Sequence, residues 1–231
     1  MARTGFIRRE NVMNRLMFEK TGNAVYISHL DTMALFPRVF LRAGLHVQFT
    51  QGMSPHAYVS IAMPLSVGMS SSCELLDFAL KEENVPLEEL PGRLNPFFPS
   101  GIRVLKAYDS PRKAKEIRHL RFRTMMEYDN GIPEDAVSSL DNLFSKETLI
   151  VEKKTKKGLS ETDIRPMIQS VSFHPVSEKE LALEALVCAV EPSLNPQYLI
   201  HAINRYTPEL MPDFAATHRL EIYDKDMNIF R

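Results

Sequence analysis

Apolar residues recur along this chain at every second position or with helical spacing, in short runs that glycine and proline separate. Leu16 and Phe18 share one face of a predicted strand at residues 14–19, which we expect to continue or re-enter at residues 24–27. The first half then predicts, in order, a helix between Ser28 and Gly44, strands at 46–50, 58–63 and 74–80, a helix at 86–94 and a strand at 102–108.

The first helix has the clearest sequence signals for its two ends. Ser28 is at the position of an N-cap, and Asp31 three residues later completes a capping box. Gly44 follows the last apolar position and suits a left-handed C-terminal cap. Because Pro37 removes one internal hydrogen bond, we expect either a bent helix or two short ones.

The second half repeats this order of elements. It predicts strands at 120–128, 149–154, 171–174, 181–187 and 219–223, helices at 133–145 and 196–206, a turn at 156–158 and a helical turn at 163–168. Both halves approach the split βαβ order of ferredoxin-like domains, with one extra strand in the first. We therefore predict an α+β fold of two ferredoxin-like lobes, residues 1–110 and 111–231, each an antiparallel sheet with helices packed on one face. The duplication rests on element order, since no residue-level repeat is visible.

Composition is that of an ordinary soluble globular protein, with 44% hydrophobic and 25% charged residues and a formal net charge of -1. Cys73 and Cys188 stand alone, so we expect neither a metal site nor a disulfide framework. No run approaches the roughly 18 apolar residues of a membrane span. The sequence therefore favours a cytoplasmic protein without a cofactor and without a membrane partner.

Basic residues are concentrated between residues 101 and 124, although the whole chain is close to neutral. The eight are Arg103, Lys106, Arg112, Lys113, Lys115, Arg118, Arg121 and Arg123. If residues 118–123 form a strand, His119, Arg121 and Arg123 share one face, and Arg118 lies on the other with Leu120 and Phe122. Such a face suits a nucleic-acid backbone, and an ordinary solvated surface is the alternative.

Two polar phrases flank the first helix and each contains a histidine. They are Ser28-His29-Leu30-Asp31 and Gln51-Gly52-Met53-Ser54-Pro55-His56. An imidazole pKa near 6.5 suits proton transfer or phosphate contact at neutral pH, so His29 and His56 are candidate catalytic residues, with Ser28, Asp31, Gln51 and Ser54 as binding residues. The alternative is that the first phrase only caps a helix and the second only builds a turn. If the two phrases form one site, they must lie close together.

Arg38 and Arg42 are four residues apart and therefore share a face of the first helix. Together with Arg15 and Lys20, which are nearby in sequence, they are candidates for a surface that binds phosphates. A solvated helix face is the alternative explanation.

Several of these phrases together resemble a bacterial family known as DUF2344 or as radical-SAM-associated proteins, whose members carry patterns close to SHLD, RRAGLP and SQGFNPHP. The matching phrases are Ser28 to Asp31, Arg42-Ala43-Gly44-Leu45 and Gln51 to His56, continuing through Leu65-Ser66-Val67-Gly68 to Glu74, and later Thr162 to Pro166. The sequence departs from the pattern at Pro37, Phe40-Leu41, Thr50 and Ala57. The resemblance implies an accessory protein that works beside, or fused to, a radical SAM enzyme.

The sequence has no CxxxCxxC motif, so the chain is not itself a radical SAM enzyme. We expect a binding module rather than an enzyme, one that presents a substrate related to RNA or the ribosome to a radical SAM partner. One alternative is a metal-independent endoribonuclease in which His29 and His56 act as general acid and base. Another is a purely structural partner in a protein complex.

Overall fold

The computed structural model describes residues 13–51, 53–155 and 158–231, which divide into two compact units. The first unit contains the described residues up to Val67, Cys73–Glu116 and Arg231, and the second contains Gly68–Ser72 and Ile117–Phe230. No helix in these ranges is long and apolar enough to cross a membrane.

The first unit has the ferredoxin-like strand order. Its elements are β1 (Met13–Lys20), α1 (His29–Arg42), β2 (Val59–Ile61), β3 (Ser70–Phe78), α2 (Leu90–Leu94) and β4 (Ile102–Ser110). The sheet runs β4-β1-β3-β2, and the β1–β4 and β2–β3 pairs are antiparallel. The first three residues of β3 are assigned to the second unit.

The core of the first unit lies between α1 and this sheet. Phe36 and Phe40 on α1 are fully buried, because helical spacing places them on the inward face. The Phe36 ring lies edge-on to Phe18, with centroids 5.0 Å apart, and to Phe98 at 5.1 Å. Despite Pro37, α1 is a single helix, so two short helices do not form.

Two predictions for the first unit are wrong. Residues 24–27 do not form a strand, because Gly22–Tyr26 is a 3-10 helix in which Ala24 N donates to Thr21 O. Residues 46–50 form only the isolated bridges Val47–Leu80 and Phe49–Ala57, since the backbone bonds of this segment change partner from residues 79–81 to residues 56–58. The extra strand predicted for the first lobe is therefore absent from its described residues.

The second unit has the same strand order. Its elements are β5 (His119–Glu127), α3 (Ala136–Phe144), β6 (Ile150–Thr155), β7 (Gly158–Asp163), β8 (Ile168–Pro175), β9 (Glu180–Cys188), α4 (Gln197–Tyr206) and β10 (Phe214–Tyr223). The order is β10-β5-β9-β8, and every neighbouring pair is antiparallel. Ser70 and Ser71 of β3 pair with β10 in the parallel direction. The predicted α+β fold with ferredoxin-like order is confirmed.

A two-stranded hairpin of β6 and β7 is inserted into this order, separate from the main sheet. The sequence did not predict β7, because Leu159-Ser160-Glu161-Thr162 has little apolar alternation. On the main sheet, β5 alternates strictly: Leu120 and Phe122 are buried, while Arg121 and Arg123 are exposed. The helix α3 packs on the buried side, where the rings of Phe144 and Phe173 are 5.6 Å apart.

Candidate functional site

His29 lines a small cavity in the first unit, beneath the start of α1. The cavity has a volume of about 10 Å³, on the scale of one water molecule, and is lined by Phe18, Lys20, His29, Thr32, Ile61, Leu65 and Glu74. Lys20, Thr32 and Glu74 are buried, and His29 is half-buried. The side chains of a lysine, a glutamate, a histidine and a threonine therefore line one small cavity together with three apolar side chains.

Lys20 is held in this cavity by the backbone that precedes α1. Its Nζ donates to Ile27 O at 2.5 Å. Burial lowers the pKa of Lys20, and the nearby Glu74 carboxylate opposes that shift. Sequence reasoning placed Lys20 and Arg15 near a phosphate-binding surface, but both are buried, so that interpretation is wrong.

The His29 ring has no hydrogen-bond partner at Nδ1, which is buried, within the described part of the chain. A buried ring nitrogen without a partner is costly, because its hydrogen bond to water is lost on folding. His29 lines the same cavity as Lys20 and Glu74, and the sequence analysis did not associate these two residues with it. Glu74 is 45 residues away in the chain, and only its place at the end of the matched phrases drew attention to it.

His56 is exposed and belongs to a turn. Its backbone N donates to Thr50 Oγ1 at 3.1 Å, its Nδ1 lies 3.0 Å from the same oxygen, and Thr50 N donates to His56 O. Gln51 and Ser54 are exposed in this turn, and Gly52 lies outside the described residues. No hydrogen bond between described residues joins this turn to His29, and a joint site of the two histidines stays a prediction.

Ser28 is the N-cap of α1 as predicted, but the Asp31 carboxylate accepts from the Ser28 hydroxyl and not from Ser28 N, so the reciprocal bond of a capping box does not form. Asp31 N donates to Ser28 Oγ at 3.1 Å, and Ser28 Oγ donates to Asp31 Oδ2 at 2.7 Å. An N-cap of this kind contributes about 1 kcal/mol to helix stability, so these two side chains have a structural role. Arg38 and Arg42 are exposed on α1 and make no hydrogen bond or ion pair to another described residue.

The predicted basic face of β5 is present in the second unit. Arg121 and Arg123 point outward, with about half of each side chain exposed, and both bind Glu184 on the neighbouring strand β9. Arg121 Nη2 donates to Glu184 Oε2 at 2.8 Å, and Arg123 Nε donates to Oε1 at 2.9 Å. Hydrogen bonds, first from Arg123, lower the pKa of Glu184, so this carboxylate stays ionised.

Arg118 precedes β5 and is exposed. Its Nη1 donates to Ile117 O at 2.7 Å, so its side chain turns back along the chain. Arg118 therefore lies directly before the strand that carries the two outward arginines.

An open groove of about 270 Å³ lies on this outward face, which we call the outer groove. Its lining consists of Arg121, Ser170, Ser172, Glu184, Ala185, Leu186, Tyr223 and Met227. Hydrogen bonds that the Arg121 guanidinium donates, first to Glu184 and then to Tyr223, raise its pKa. Sequence reasoning found Arg121 but missed Tyr223 and Glu184, since strands β9 and β10 join β5 only through long-range pairing.

Residues 14–196 match DUF2344, described as an uncharacterised protein conserved in bacteria. The chain belongs to this family. The match includes α1, both histidine phrases and β5, so the family resemblance inferred from the phrases is confirmed for this DUF2344 protein. No curated protein matches the chain.

The solved structures that match this DUF2344 protein include two that cover most of its chain. A chain in the crystal structure of a Cbf5-Nop10-Gar1 complex is 6% identical, with a TM-score of 0.52, over 90% of this chain and 48% of that chain. The DUF2344 protein thus spans about half the length of that chain, and at this identity the likeness shows the fold alone. An unknown protein from Galdieria sulphuraria is 10% identical over 90% of this chain and 98% of that chain, with a TM-score of 0.25.

Proposed function

We propose that this chain is an accessory module that binds RNA through the outer groove and presents it to a radical SAM enzyme. The observation that supports the RNA part is that the exposed Arg121 guanidinium and the Tyr223 ring line the same open groove. A second exposed guanidinium, that of Arg123, binds the groove residue Glu184. Guanidinium groups bind phosphate oxygens, and an aromatic ring stacks on an unpaired base. Single-stranded RNA offers both of these groups at neighbouring positions.

The charge of the outer groove favours a polyanion. In the cluster at and beside the groove, Arg121 and Arg123 share the single carboxylate of Glu184, which leaves an excess of one positive charge among these three residues. Because Glu184 binds both guanidinium groups, it also fixes their orientation towards solvent. The hydroxyl groups of Ser170 and Ser172 add hydrogen-bonding capacity for ribose or phosphate at the same groove.

Charge reversal at the groove is expected to weaken RNA binding. The variant Arg121→Glu/Arg123→Glu should bind a fluorescently labelled single-stranded RNA at least about ten-fold more weakly than the wild-type protein at low salt. The physical reason is the loss of two phosphate contacts and the gain of two repulsive charges. Fluorescence anisotropy at several salt concentrations measures both the affinity and the number of phosphate contacts.

The control for this experiment is Arg103→Glu/Lys106→Glu, which makes the same change of net charge on exposed residues of β4 in the first unit. We expect its RNA affinity to stay within about two-fold of wild type. Equal losses in the two variants would show that only net charge matters. Absence of RNA binding by the wild-type protein at low salt would remove the RNA part of the proposal.

The radical SAM part rests on the family resemblance, and since the sequence has no CxxxCxxC motif, the iron-sulfur cluster of such a pair would belong to the partner. We expect the untagged chain to co-purify with a radical SAM enzyme encoded near its gene. Mass spectrometry of the purified complex identifies the partner. Recovery of the chain without any iron-sulfur enzyme, under anaerobic conditions, would contradict this part alone.

A further inference from the structure

A second cavity, of about 580 Å³, lies in the second unit between the β6–β7 hairpin and α4. Two side chains at the end of α4 form hydrogen bonds with the hairpin and hold it against the helix. Ile150 N donates to Tyr206 Oη at 3.1 Å, and Arg205 Nη2 donates to Glu161 Oε1 at 2.8 Å. We call this space the hairpin cavity, and its volume falls in the range of roughly 300–1,000 Å³ that is usual for small-molecule sites.

The hairpin cavity combines aromatic, apolar and polar side chains. Its lining consists of Val151, Glu152, Leu159, Tyr198, His201, Asn204 and Arg205. The rings of Tyr198 and His201 lie perpendicular to each other, with centroids 5.3 Å apart. Leu159 is 72% exposed, which is unusual for a leucine on a regular strand and leaves an apolar wall open to a ligand.

Three polar side chains of this lining have unused hydrogen-bonding capacity. Glu152, His201 and Asn204 make no hydrogen bond to another residue in the described ranges of the chain. Arg205 uses only Nη2, towards Glu161, so most of its five donors remain available. The hairpin cavity thus presents a carboxylate acceptor, an amide and guanidinium donors around two rings and an apolar wall.

We propose that the hairpin cavity binds one guanine base, either as a free nucleoside or as an unpaired residue of an RNA strand. A planar base can stack on the face of one of the two rings, and the exposed Leu159 side chain lines the same cavity. The Glu152 carboxylate accepts hydrogen bonds from guanine N1–H and the N2 amino group. Arg205 and Asn204 donate to guanine O6 and N7, which are acceptors.

The edge pattern distinguishes guanine from the other purine. Adenine presents an acceptor at N1, so it offers the Glu152 carboxylate no donor at the position where guanine offers N1–H. Adenine also presents an amino group at position 6, where guanine presents an oxygen, so the donors of Arg205 lose their acceptor. The Glu152 carboxylate is exposed, so it discriminates through the hydrogen bonds that guanine offers and adenine lacks, and not through the cost of a buried unpaired charge.

The test measures the binding of guanosine, inosine and adenosine to the full chain by isothermal titration calorimetry or ligand-observed NMR. We expect guanosine to bind, inosine to bind about ten-fold more weakly because it lacks the N2 amino group, and adenosine to show no binding at the same concentration. Glu152→Gln should weaken guanosine binding by about ten-fold or more. Glu147→Gln, an exposed glutamate outside the lining, is the matched control and should leave it unchanged.

Two arms separate the sources of the base. If guanosine alone fails to bind but a short single-stranded RNA with one guanine binds in a Glu152-dependent manner, the base comes from RNA and the proposal stands. Equal binding of guanosine and adenosine, or a Glu152→Gln protein that binds as wild type does, overturns it. The Arg121→Glu/Arg123→Glu variant should bind guanosine as the wild-type protein does. The guanine site can therefore be tested even if the proposal that the outer groove binds RNA proves wrong.

Discussion

Replacing Arg15 by methionine is expected to lower the free energy of unfolding by about 3–5 kcal/mol, the usual cost of removing one partner from a buried ion pair. Arg15 on β1 is fully buried. Its Nε and Nη2 donate to the two oxygens of Asp77 at 2.6 and 3.1 Å, and Nη2 also donates to Arg112 O at 2.8 Å. Methionine fills similar space but leaves Asp77 without its buried cation.

Urea denaturation at neutral pH measures this loss of stability. Two further variants serve as controls, one for the loss of an arginine and one for the unpaired carboxylate. Arg38→Met removes an exposed guanidinium from α1 and should change the free energy of unfolding by less than about 0.5 kcal/mol. The double variant Arg15→Met/Asp77→Leu removes both charges and should recover much of the stability. If Arg15→Met and Arg38→Met cost the same, the ion pair contributes nothing to the fold.

The order of elements could be read from the sequence because its signals are local. The cap at Ser28, the apolar spacing of α1 and the alternation of β5 each depend on residues a few positions apart. The strand β7 could not be predicted in this way, because its residues are mostly polar and it pairs only with β6. The 3-10 helix at Gly22–Tyr26 was also missed, although its hydrogen bonds, from Ala24 N to Thr21 O and from Ile27 N to Ala24 O, are local.

The candidate site residues also differ in whether local sequence patterns could predict them. Alternation alone predicted that Arg121 and Arg123 face outward, and the structure agrees. The partners that give those side chains a geometry are on other strands: Glu184 is 61 residues after Arg123 in the sequence. In the first unit, likewise, Lys20 and Glu74 reach His29 only through the fold, so no short motif could have grouped them.

Replacing Gly101 by alanine is expected to destabilise the first unit by more than about 3 kcal/mol, because strain and a steric clash act together. Gly101 has a φ of +90°, a conformation that alanine rarely adopts. An alanine Cβ would also lie 2.2 Å from Thr21 O, which belongs to backbone and cannot rotate away. Thermal and chemical denaturation of the purified variant measure the effect.

Two other glycines separate the causes. Gly44→Ala has a φ of +71° but no atom within 4 Å of its Cβ, so only left-handed strain of about 1–2 kcal/mol is expected. Gly92→Ala in α2 has neither problem and should stabilise the protein by up to about 1 kcal/mol. A Gly101→Ala protein no less stable than Gly44→Ala would show that the backbone at Thr21 yields to the new methyl group.

The position of Gly101 gives this clash a consequence for the cavity beneath α1. Thr21 N donates to Gly101 O at 2.7 Å, and Thr21 precedes the 3-10 turn that leads to Ile27. Since Ile27 O is the acceptor for Lys20 Nζ, displacement of Thr21 should loosen the ammonium as well. An amine-reactive acylating reagent should therefore label Lys20 faster at neutral pH in Gly101→Ala than in Gly44→Ala, under conditions where both proteins are folded.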